Sequence, residues 1–81
     1  MFYPEILDRY EAILRGAEDF GEGDTSRGHL LDLIELLNGN DAMSLTRKHR
    51  WLGFIQGVMI CHGLLTVLEE RNTTRSIFAG A

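Results

Sequence analysis

The chain has 81 residues and a formal net charge of −4, with 44% hydrophobic and 25% charged residues. That length suits one small domain with a limited core. A lone cysteine excludes an internal disulfide, and the acidic balance excludes a general binder of nucleic-acid polymers, which would be basic.

The charge is unevenly spread. Residues 1–41 hold ten acids against three bases, Arg9, Arg15 and Arg27. Residues 42–81 hold Glu69 and Glu70 against Arg47, Lys48, Arg50, Arg71 and Arg75. Such a split points to one half that attracts anions or the acidic half of a neighbour. No basic stretch followed by an apolar one opens the chain, so no signal peptide is expected.

A first helix is expected from Pro4, a residue suited to the first helical position. Ile6, Leu7, Tyr10, Ile13 and Leu14 share one face, with Asp8, Arg9, Glu11 and Arg15 opposite. Gly16 ends it, or the helix frays just beyond. Residues 16–25, rich in glycine and acids, read as a solvated acidic loop. Their spacing does not match a calcium-binding loop.

A second helix follows, capped by Thr25 or Ser26. It carries a wide apolar face of His29, Leu30, Leu31, Leu33, Ile34, Leu36 and Leu37, and ends in Asn38-Gly39-Asn40. His29 sits in the first turn, where a charged imidazole opposes the helix dipole. It reads as a neutral, partly buried histidine or as a hydrogen-bond partner for a ligand.

The third helix, capped by Asp41 or Ser44, is expected to be central. It runs through Arg47–Leu65, a stretch that starts basic and then becomes almost wholly apolar. Trp51, Phe54, Ile55, Val58 and Leu65 share one broad face, and Leu52, Met59 and Ile60 cover part of the other side. A helix apolar nearly all round is buried in a core, an interface or a membrane. Trp51 to Leu68 is 18 residues without a formal charge, at the lower limit for a span. Gln56, His62, Thr66 and three glycines argue against one. Gly53 and Gly57 lie one turn apart on one strip below Arg50, which points to close approach of another helix or a ligand. Arg47, Lys48 and Arg50 oppose the helix dipole and have no carboxylate three or four residues earlier, so they call for an outside anion.

The fourth helix begins at Thr66, with Glu69 three residues on as a capping box. Val67, Leu68, Thr74 and Phe78 are expected to face inward. Arg71 and Arg75 share that face, one turn apart and without local acids, so an inward pair would need carboxylates from another helix or a ligand phosphate. The rest is negative. His29, His49 and His62 are scattered without metal-ligand spacing, and no phosphate-binding or dinucleotide loop and no nucleophile elbow occurs. Cys61 reads as a small core residue. Neither catalysis nor a cofactor is expected.

The segment Arg50-Trp51-Leu52-Gly53-Phe54-Ile55-Gln56-Gly57, then Gly63, Glu69-Glu70-Arg71 and Thr74-Arg75, resembles a pattern found in small proteins of tailed bacteriophages. Those chains also tend to carry a His-Leu-Leu stretch upstream, here His29-Leu30-Leu31. The first helix and the acidic loop are not covered. In size, helical content and arginine placement the chain also resembles phage sponge proteins. These bind cyclic-nucleotide or ADP-ribose-type signals of CBASS and Thoeris defence and withhold them from host effectors.

The expected architecture is an all-α bundle of three main helices and a shorter fourth, forming a homo-oligomer. The expected function is binding of a phosphorylated nucleotide in the host cytoplasm. Arg50, Arg71 and Arg75 would hold phosphate, Gln56 and His29 would supply hydrogen bonds, and Trp51 would stack on a base. The rivals are a protein-binding inhibitor of a host factor, using the acidic first helix or loop, and a ligand-free interaction protein. A helix-turn-helix regulator reading through Arg47, Lys48 and Arg50 is disfavoured by the apolar residues that follow and by the acidic total.

Overall fold

The computed structural model describes residues 2–39 and 42–79, without the side chains of 74 and 76–79. It contains four helices, α1 (Pro4–Gly16), α2 (Arg27–Gly39), α3 (Leu45–Cys61) and α4 (Val67–Ala79), with a short 3-10 turn at Gly23–Thr25. No strand occurs among the described residues. The all-α expectation holds. α4 is as long as α1 and α2, at 13 residues each, so it is not a shorter appendage.

Local chemistry sets most helix starts. α1 opens on Pro4, and the Tyr3 carbonyl accepts from the Ile6 and Leu7 amides at 3.1 Å. Ser26 starts α2, with its hydroxyl accepting from the His29 amide at 3.2 Å. Ser44 does the same for α3 through the Arg47 amide at 3.2 Å. Thr66 does so for α4 through the Glu69 amide at 3.1 Å. Each cap satisfies an amide with no partner inside the helix. Asp41, the alternative cap for α3, and Asn40 lie outside the described residues.

The core joins Ile6, Leu7, Tyr10 and Leu14 of α1, Leu30, Leu33, Ile34 and Leu37 of α2, and Leu52, Ile55 and Met59 of α3. The α1 stripe is the expected one. On α3 the buried stripe is Lys48, Leu52, Ile55 and Met59, at successive spacings of four, three and four. Trp51, Phe54 and Val58 are only half-buried flanks of it. The inward direction is therefore rotated from the expected face, and Leu52 and Met59 move from the far side to the centre.

α3 is also shorter than its apolar run. Gly63 takes a left-handed conformation at φ 73°. The Leu64 amide returns to the Met59 carbonyl at 2.9 Å and the Gly63 amide to Ile60 at 3.0 Å. This is a Schellman ending, which glycine makes without a Cβ penalty. The chain turns there, and among the described residues no helix is long and apolar enough to cross a membrane.

Among the described residues nothing packs closely on the glycine strip. A Cβ built on Gly53 or Gly57 has no heavy atom within 4 Å, and both residues are exposed. Among the described residues no helix makes the close approach expected there. Gly57→Ala should therefore raise stability by about 1 kcal/mol through helix propensity alone. Urea unfolding measures this. A loss instead would place a second chain against the strip.

The acidic loop is solvated but anchored. Glu18, Asp19, Glu22 and Asp24 are exposed, whereas Phe20 packs on the core with its ring centroid 4.2 Å from that of His62. Gly21, at φ 67°, is required there, because a Cβ would come within 2.5 Å of the Thr25 carbonyl oxygen.

Candidate functional site

The basic residues divide into two sets. In the acidic half every arginine is paired within the chain: Arg9 with Glu70, Arg15 with Glu11, and Arg27 with Asp19, at 2.6, 3.0 and 2.7 Å. Arg27 also donates to the Leu14 carbonyl at 3.2 Å, which ties the acidic loop to the end of α1. In the other half Arg47, Arg50, Arg71 and Arg75 are exposed, and none makes an ion pair or a side-chain hydrogen bond among the described residues.

The orientation of α4 overturns one expectation. Arg71 and Arg75 point to solvent, as do Val67 and Leu68, which are 64% and 69% exposed. At 100° per residue these four lie together on one side of the helix. They do share a face, as expected, but it is the outer one. The side chains of Thr74 and Phe78 lie outside the described residues. The inward side carries Glu70, only 5% exposed, with Thr73 half-buried beside it.

Glu70 is held by long-range partners. Arg9 Nη1 donates to its Oε2 at 2.6 Å, and the Tyr10 hydroxyl donates to its Oε1. Gln56 Nε2 in turn donates to the Tyr10 oxygen at 2.8 Å. α1, α3 and α4 thus meet in one polar chain inside an apolar core. Burial, and then the Glu70 carboxylate, push the Tyr10 phenol far above its usual range. It remains a neutral donor throughout the physiological range. Gln56, expected at a ligand, is engaged in this lock.

The remaining expected site residues lie apart. Half-buried His29 has its Nε2 4.0 Å from an Asp24 carboxylate oxygen. Trp51 packs edge-on against Phe54, with centroids 5.9 Å apart. No hydrogen bond or ion pair joins any two of Arg50, Arg71, Arg75, Gln56, His29 and Trp51. Cys61 is exposed, not in the core. With Gly53, Phe54, Gly57 and Val58 it borders an apolar groove of about 390 Å³. Clefts of about 490 and 510 Å³ border α2; both are lined by Asp32 and Glu35, and the first also by Glu11 and Arg15. No group of three or more His, Cys, Asp or Glu suited to a metal ion occurs among the described residues.

Two features escaped sequence reasoning. In the sequence Glu70 stands only within a motif and Lys48 only within a basic cluster, yet both residues are buried. Their partners come from α1 and the residues before it, so no local spacing announces them. Comparisons with protein-family models, with curated proteins and with solved structures give no match.

Proposed function

We propose that the chain is a phage anti-defence protein that binds a phosphorylated nucleotide immune signal, a cyclic nucleotide or an ADP-ribose derivative. It would sequester that signal in the host cytoplasm without transforming it. The observation that supports this reading is the set of exposed arginines without carboxylate partners, Arg47, Arg50, Arg71 and Arg75. Guanidinium forks suit phosphate oxygens, and an unsatisfied fork on a rigid helix is poised for them.

The outer face of α4 sets apolar Val67 and Leu68 beside Arg71 and Arg75, a pairing that suits a ligand with both a base and a phosphate. The clefts beside α2 are acidic, which favours a ligand held on the arginine surface or across the boundary of a homo-oligomer. In this reading Trp51 supplies a stacking surface and His29 a hydrogen bond. Gln56 joins only by leaving Tyr10.

A second reading, a protein-binding inhibitor or an interaction protein without a ligand, is favoured by the exposure of Leu45, Val67 and Leu68, at 64%, 64% and 69%. The double change Arg71→Gln with Arg75→Gln separates the two. Both side chains are solvated and lack acidic partners, so stability should move by no more than about 0.5 kcal/mol. Affinity for a cyclic dinucleotide, measured by calorimetry, should fall at least about tenfold, since each charge-assisted contact is strong. Unchanged affinity removes these arginines from the site. No nucleotide binding by the parent protein favours the second reading.

A further inference from the structure

α3 carries a second apolar face. Lys48, Leu52, Ile55 and Met59 point into the core. At 100° per residue Gly53, Phe54, Gly57 and Cys61 lie on the opposite side, with Val58 at its edge. Gly53, Gly57 and Cys61 are exposed, and Phe54 and Val58 are half-buried. These five border the apolar groove of about 390 Å³, which Thr25 and His62 also line. Among the described residues no heavy atom stands within 4 Å of a Cβ built on either glycine, so the floor of the groove is open.

The groove has opposite charges at its two ends. Arg50 stands three residues before Gly53 on the same strip, exposed and without an ion pair among the described residues. The acidic loop lies at the other end, where Phe20 packs on His62 just past the last turn of α3. Thr25 lines the groove there, and its hydroxyl donates to the Glu22 carbonyl at 3.1 Å. Glu22 and Asp24 are both exposed at that end. The dipole of α3 has the same sense, positive at the arginine end and negative at the acidic end. A face of this kind matches itself when a copy is turned end for end. A two-fold rotation then sets each basic end on an acidic one, twice over, whereas a parallel copy would align like charges.

We propose that a second copy of the chain covers this groove, in a two-fold dimer with the α3 helices antiparallel. Gly53 of one copy lies opposite Gly57 of the partner subunit, Phe54 and Val58 fill the paired grooves, and Arg50 meets Asp24 of the partner subunit. The face from Arg50 to Cys61 is about 18 Å long at the helical rise, so the buried area is at the small end for specific interfaces and the dimer is reversible. The dimer goes beyond nucleotide binding and does not rest on it, because Arg71 and Arg75 belong to α4 and take no part.

Sedimentation equilibrium of the full chain, from about 1 µM to 1 mM, tests the dimer. The parent chain should pass from monomer to dimer within that range. Arg50→Glu and Asp24→Arg should each weaken the dimer at least about tenfold, because like charges then face each other at both ends. The two changes together should restore it. Gly57→Glu sets a carboxylate in the middle of the apolar groove and should abolish association, whereas Gly57→Ala adds a methyl group for which the groove has room. Arg71→Gln with Arg75→Gln should dimerise like the parent, which separates a failure here from a failure of nucleotide binding. A parent chain that stays monomeric throughout would overturn the proposal. So would a dimer left intact by Arg50→Glu and Gly57→Glu, or a double reversal that does not regain association. If Gly57→Glu does not fold, the charge reversals, both at exposed positions, decide the matter.

Discussion

Ile55→Ala is expected to lower the stability of the fold by about 3 kcal/mol, the middle of the range for deleting a fully buried aliphatic chain. Ile55 is 0% exposed and stands at the middle of the buried stripe of α3, between Leu52 and Met59. Three methylene-sized groups leave the core, and helices packed on several sides cannot collapse fully into the gap. A domain of this length holds on the order of 4–12 kcal/mol in all, so the change removes a large share. Val58→Ala is the control. Val58 lies on the half-buried flank, and its truncation should cost about 1 kcal/mol or less. Urea midpoints at unchanged slope give both values. Equal losses at the two positions would mean that α3 is rotated from the orientation described.

Glu70→Ala should cost about 2–3 kcal/mol. Glu70 is the buried charged group that ties α4 to α1, through Arg9 and Tyr10. Its removal leaves the Tyr10 hydroxyl proton without its acceptor in a buried site, which is the main penalty. The Arg9 side chain is 32% exposed and can turn to water, so the loss stays below that of a fully buried pair. Glu70→Gln keeps an acceptor for Tyr10 but not the charge for Arg9, and should fall between the parent and Glu70→Ala. Thermal unfolding of the three proteins tests the order. A Glu70→Ala protein as stable as the parent would show that α4 is held by other contacts.

The parts legible in the sequence are those with local causes. Ser26, Ser44 and Thr66 cap their helices within three residues, and the α1 stripe repeats at helical spacing inside one segment. The orientation of α4 was not legible, because Val67 and Leu68 look like a core face until Arg9 and Tyr10 claim Glu70 from some 60 residues away. Glu11–Arg15 follows from i,i+4 spacing, but Asp19–Arg27 and Arg9–Glu70 do not. The end of α3 was equally hidden. Gly53 and Gly57 stay helical while Gly63 does not, and the difference lies in the turn that buries Leu65. Of the expected site, the arginines are where an anion can reach them, and Gln56 is inside the core lock.

Native mass spectrometry of the protein from cells making a nucleotide defence signal tests the proposed sequestration. A nucleotide is expected bound to the protein and released unchanged on denaturation, and absent from Arg71→Gln with Arg75→Gln. Protein without nucleotide while the signal is abundant, or a bound nucleotide that has been cleaved, would contradict it.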